Sequence, residues 1–122
     1  MNRRIATLWL PVAAYMAAIF YASSLSDPPV PTGIPDTNLH AAAYCGLMLL
    51  SVRAVAGTRG VTVTLAVLAV AWIITVAYGA TDEWHQYFVP NRHAELRDLF
   101  ADAVGACVAG ISAKAWDIIR RL

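Results

Sequence analysis

Four apolar runs divide this chain, and each is about as long as a bilayer core is thick. That core, about 30 Å across, takes roughly 20 helical residues. Inside it every backbone N–H and C=O must find its partner within the segment, which leaves the α-helix as the conformation of an isolated run. The runs lie at about residues 5–23, 39–55, 61–80 and 98–119, and the first and third carry no formal charge. Composition agrees: 59% of the residues are hydrophobic and 14% charged, and the mean hydropathy is +0.56, outside the range of a soluble domain. The expectation is an all-α, four-helix transmembrane bundle forming one unit over residues 1–122, with no linker or internal repeat.

Basic residues set the orientation. Arg3 and Arg4 precede the first span, Arg53 and Arg59 surround the link between the second and third, and Lys114, Arg120 and Arg121 close the fourth. Four crossings put all of them on one side, whereas residues 24–38 contain no Lys or Arg. The positive-inside rule therefore predicts both termini in the cytoplasm and the Asp82/Glu83/His85 segment outside. The apolar run after Arg3-Arg4 is longer than a secretory signal core, so it is expected to stay as an anchor.

Within the fourth run Ala101, Gly105 and Ala109 recur every fourth residue, with Ala106 and Gly110 beside them. Such small-residue stripes let helix backbones approach closely in lipid, and the fourth helix is expected to be central. Cys45 and Cys107 have neither redox nor disulfide spacing and read as small apolar residues.

The chemistry concentrates between Tyr78 and Arg92. Carboxylates, imidazole and guanidinium beside a bilayer core are costly to desolvate and need partners, water or a ligand. Helical spacing aligns Asp36 with His40, Tyr44 and Leu47 on the second helix. It also aligns Tyr78, Asp82 and His85 on the third, with Glu83 and Gln86 as an adjacent stripe, and Asp98 with Asp102 on the fourth. The three stripes reach one depth, and facing one another they form a pocket floored by Tyr44 and Asp102 and roofed by the Pro90 loop.

Each member also has a plainer reading. Asp98 suits a helix N-terminus, where the macrodipole favours an acid by about 0.3–1 kcal/mol. Asp82 and Glu83 stand where the third helix is expected to end and the dipole opposes them, so Arg92, protonated His85 or a metal should compensate. Asp102 lies about one turn inside the fourth span among small apolar residues and is the member that most needs a functional or paired role. His93, Glu95 and Arg97 read as solvated loop charges, and the four Trp residues as interfacial or packing groups. In Val89-Pro90-Asn91-Arg92, Pro presets the first central position of a turn and Asn tolerates positive φ at the second, folding Arg92 back toward the carboxylates.

No nucleotide loop, nucleophile elbow or basic nucleic-acid patch is present, so neither a cofactor nor a nucleic-acid partner is expected. A metal held by His40, Asp82 and His85 lacks any established ligand spacing, and no metal is expected.

The pattern Tyr78-Gly79, Asp82-Glu83-x-His85-Gln86-x-Phe88-Val89-Pro90-x-Arg92, then Asp98, Asp102 and Gly105, resembles the VanZ-like family of small bacterial membrane proteins. Asp36-x-x-x-His40-x-x-x-Tyr44-x-x-Leu47 is similar to that family's first motif, and Ile19 to Ser24 to its first-helix ending, so the resemblance covers nearly the whole chain. Thr37 stands where the family commonly has Lys, Asn91 where Gly is usual, and Asp102 where Asn is frequent. The pocket is thereby more negative than the family pattern. The resemblance implies a multi-pass protein of the bacterial plasma membrane with a cell-envelope role, and its founding member is associated with resistance to the glycopeptide teicoplanin.

The leading reading is a pocket for a membrane-lipid headgroup or lipid-linked envelope precursor. Its binding residues would be Asp36, His40, Tyr44, Asp82, Glu83, His85, Gln86, Arg92, Asp98 and Asp102, with Arg92 on the anionic group. In an enzymatic alternative, His85 or Glu83 is the acid/base and Asp102 or Asp82 orients it. A structural alternative makes the polar cluster a helix lock within a larger assembly, including a homo-oligomer.

Overall fold

The computed structural model describes residues 2–122. Among the described residues there are four α-helices and no strand: α1 Arg3–Ser24, α2 Asp36–Arg59, α3 Leu65–Gln86 and α4 Leu96–Ile119. Each is long and apolar enough to cross a membrane.

Local chemistry explains the ends. The Asn2 side chain accepts the Arg4 backbone N–H and starts α1, and Thr64 accepts that of Val67 and starts α3, so residues 61–63 stay outside. Gly57, just past the expected end of the second run at 55, lies inside the helix. There the Leu8 side chain packs against its Cα face and Arg4 donates to its carbonyl at 2.9 Å. The chain instead leaves α2 at Gly60, whose φ of 65° is the left-handed cap. α3 runs beyond the expected 80 to Gln86, because nothing from Ala80 to Gln86 breaks a helix and Asp82, Glu83 and Gln86 turn into the bundle. Pro90 lies in the turn that follows, where Asn91 takes φ 63° and the Arg92 N–H closes onto the Val89 carbonyl at 3.2 Å.

The centre of the bundle is α2, which corrects the expectation that the fourth helix is central. α2 touches all three other helices and packs most extensively on α4, whereas α4 does not touch α1. One face of α2 places Met48, Val52 and Val55 against Val67 and Ala71 of α3 and Ala106 and Ala109 of α4. The other packs Tyr44, Leu47 and Ala54 on Leu8 and Val12 of α1. The small-residue stripe serves the α2–α4 contact: a Cβ on Gly105 would run into the Ala41 carbonyl oxygen.

The two ends differ in charge. Arg53 donates to the Thr7 carbonyl at 3.3 Å, Lys114 to that of Val63 at 2.6 Å, and Arg120 and Arg121 hold Asp117 at 3.0 and 3.1 Å. The buried acids of α3 and the first turns of α4 gather at the opposite end, with His40.

Candidate functional site

His40 is the hub of that end. Its position four residues after Asp36 sets both on one face of α2, with Nε2 3.7 Å from Asp36 Oδ2 and 3.9 Å from Asp98 Oδ2. Its Nδ1 is hydrogen-bonded to Asp102 Oδ1 at 3.0 Å and lies 3.8 Å from Glu83 Oε1. Asp98 and Asp102 come one turn apart from α4, and Glu83 from α3. Glu83 Oε2 accepts the backbone N–H of Glu95 at 3.1 Å, which ties the start of α4 to α3. Asp102 is fully buried, Asp98, Glu83 and His40 are nearly so, and Asp36 is mostly exposed. Four carboxylates therefore surround one imidazole, and at most one positive charge on that ring answers them.

A second network adjoins the first. Tyr44 donates to Asp82 Oδ2 at 3.1 Å, and Gln86 Nε2 lies 3.4 Å from both Asp82 Oδ2 and Ser23 Oγ. These bonds join α1, α2 and α3. Above them an open cavity of about 150 Å³ has polar walls from Asp36, His40, Tyr44, Asp82, Gln86 and Arg92 and apolar walls from Ile19, Val30 and Leu39. A larger hollow of about 390 Å³ continues toward Asp27, His93 and Arg97, and Arg92 lines both.

The structure thus brings Asp36, His40, Glu83, Asp98 and Asp102 together, with Tyr44, Asp82, Gln86 and Arg92 beside them. Three expectations change. His85 turns away: its ring stacks on Phe20 with centroids 4.3 Å apart, in a shallow aromatic hollow with Trp84 and Phe88. The His40, Asp82 and His85 metal set consequently does not assemble, and the imidazole that Asp102 orients is His40. Glu83 and Gln86, expected as one stripe, separate, Gln86 joining Asp82 and Glu83 facing His40. Arg92 folds toward the cavity but forms no ion pair within 4.0 Å among the described residues.

Three contributors were not singled out from the sequence. Ser23, buried at the end of α1, meets Gln86, and Pro28 and Val30 from the α1–α2 link line both cavities. A hydroxyl at the end of an apolar run was the available signal for Ser23; the link carries none.

Among the described residues, the buried polar atoms that lack a hydrogen-bond partner are Asp82 Oδ1, Glu83 Oε1, Asp102 Oδ2 and Arg92 Nε at this end, His85 Nδ1 in its aromatic hollow, and Ser51 Oγ on α2. Buried unsatisfied groups are uncommon and costly, so a concentration of them calls for water, an ion, a ligand or a catalytic role to account for it. The side chains of His40, Glu83 and Asp102, and of Asp36, His40 and Asp98, bring ligand atoms within 4.8 Å of one another.

The family model described as VanZ/LLP1 matches residues 8–117, nearly the whole chain, so the chain belongs to that family of membrane proteins. No curated protein and no solved structure matched it.

Proposed function

From membership of the VanZ/LLP1 family we propose that this membrane protein holds the headgroup of an envelope lipid or lipid-linked cell-wall precursor in the cavity beside Arg92. The supporting observation is Arg92 itself. Among the described residues its guanidinium has no acidic partner and its buried Nε no acceptor, and it lines a cavity with Ile19 and Ala22 on its α1 side. A phosphate or carboxylate on a ligand supplies the missing acceptor and fits the planar fork. Asp82 Oδ1, also on that cavity and without a donor, suits a hydroxyl or amine of the same headgroup. Ile19, Val30 and Leu39 suit the start of an acyl chain.

The reading puts the acid-rich end outside the bacterial plasma membrane, as the positive-inside rule requires of a chain whose Lys and Arg gather mostly at the other end. An envelope precursor held there is less accessible to glycopeptides such as teicoplanin, which links the reading to the family's founding member.

The test is native mass spectrometry of protein in nanodiscs of defined anionic and zwitterionic lipids, followed by affinity measurement for the retained class. Arg92→Lys, which keeps the charge and loses the fork, is expected to weaken binding about tenfold, because charge-assisted bonds are worth roughly 1.5–3 kcal/mol. Unchanged affinity in Arg92→Lys overturns the proposal.

A further inference from the structure

We infer that His40, Glu83 and Asp102 bind one divalent transition-metal ion, of the Zn²⁺ or Mn²⁺ kind, deep to the headgroup cavity. The inference stands independently of the headgroup reading. Metal–ligand bonds of about 2.0–2.2 Å set ligand atoms around one ion roughly 3–3.6 Å apart. His40 Nδ1 lies 3.0 Å from Asp102 Oδ1 and 3.8 Å from Glu83 Oε1, so small side-chain movements complete the set.

The unpartnered atoms point to the ligand. Glu83 is nine-tenths buried, and its Oε1 faces the imidazole with no hydrogen-bond donor. Asp102 is wholly buried; its Oδ1 is the oxygen beside His40 Nδ1, while its Oδ2, on the side of Gly79, has no donor either. A bare carboxylate oxygen in such a place carries a large desolvation cost. Asp82 does not belong to the set, because it is not among the side chains whose ligand atoms gather within 4.8 Å, and it lines the headgroup cavity instead.

Charge gives the same answer. Neither nearby guanidinium reaches the cluster's acids, since Arg97 pairs with Glu95 at 3.2 Å and Arg92 forms no ion pair among the described residues. A divalent ion on neutral His40, Glu83 and Asp102 balances the two carboxylates that bind it. It also frees the other imidazole nitrogen to point its N–H at a carboxylate, as metal-binding histidines regularly do. Asp36 and Asp98, 3.7 and 3.9 Å from Nε2, stand on that side of the ring. An imidazole in the set favours a transition ion over Mg²⁺ or Ca²⁺.

The experiment uses the full chain in detergent or nanodiscs, stripped with a chelator. Zn²⁺ or Mn²⁺ alone is titrated by calorimetry, and content is read by elemental analysis after dialysis. About one ion per chain is expected in the wild type. Glu83→Gln should bind more than tenfold more weakly and Asp102→Asn should lose retention, while Asp117→Asn, at the other end of the bundle, binds as the wild type does. If Asp102→Asn does not fold, Glu83→Gln decides, because its amide oxygen still accepts the Glu95 N–H. Co²⁺ in place of the natural ion should give visible bands that Glu83→Gln shifts. A folded wild type that takes up neither ion, or takes it up equally well in Glu83→Gln, overturns the inference.

Discussion

Gly105→Ala tests whether the bundle is joined where α2 and α4 touch. The added Cβ would meet the Ala41 carbonyl oxygen, with the Ala41 carbonyl carbon and Cα both at 2.9 Å, and a backbone cannot rotate aside as a side chain does. Overpacking costs about 1–3 kcal/mol, and a backbone obstacle belongs in the upper part of that range. Against it, Ala is favoured over Gly inside a helix by about 0.8–1 kcal/mol. The net expectation is a loss of about 1–2 kcal/mol, roughly a 5- to 30-fold shift in the folding equilibrium. Gly110→Ala is the internal control. There the nearest atom is Met48 Cε at 3.1 Å, the end of a flexible thioether, so the helix-propensity gain should prevail. Reversible unfolding in mixed micelles should therefore move the two variants in opposite directions. Because Ala41 follows His40 and Gly105 lies three residues after Asp102, Gly105→Ala should also lengthen the 3.0 Å His40–Asp102 contact and lower metal retention. A Gly105→Ala protein as stable as Gly110→Ala would refute the close approach.

Tyr44→Phe removes the hydroxyl that bonds Asp82 and leaves that buried carboxylate with Gln86 alone. It should cost about 1–3 kcal/mol in the same unfolding assay, and a cost near zero would show that Asp82 is hydrated there. Sidedness is read with single cysteines after Cys45 and Cys107 are replaced by Ala. A membrane-impermeant maleimide added to intact cells should label His93→Cys and leave Arg59→Cys unmodified, and the reverse pattern would invert the proposed topology.

Much of this protein was legible one residue at a time. A run of apolar residues with the length of a bilayer core has to be a helix, because lipid offers its backbone no other partner, and four such runs yield the four helices. The turn at Pro90 and Asn91 followed from dihedral preferences, and the i, i+4 pairs Asp36/His40 and Asp98/Asp102 from helical spacing. Motif spacing likewise led to the VanZ family. Helix ends were less legible: Gly57 and Gly60 are the same residue type, and only the Leu8 side chain packed on Gly57 shows which of them stays helical.

How the helices turn to face one another was not legible, for a reason particular to membranes. In water a helix shows its buried face by contrast with a polar one, but in lipid the outward face is as apolar as the core, and the periodicity that reveals rotation is lost. His85 and Glu83 lie two residues apart in one motif, with no signal to say which looks inward. Tertiary packing sent His85 to Phe20 and Glu83 to His40, and it made α2 rather than α4 the most extensively packed helix. Composition and spacing along the chain are enough to set the spans, the charged ends and the kinds of side chain available to a site. Which of those side chains meet was decided only when the backbones of α2 and α4 closed at Ala41 and Gly105, because that contact sets the rotation bringing His40 onto Asp102.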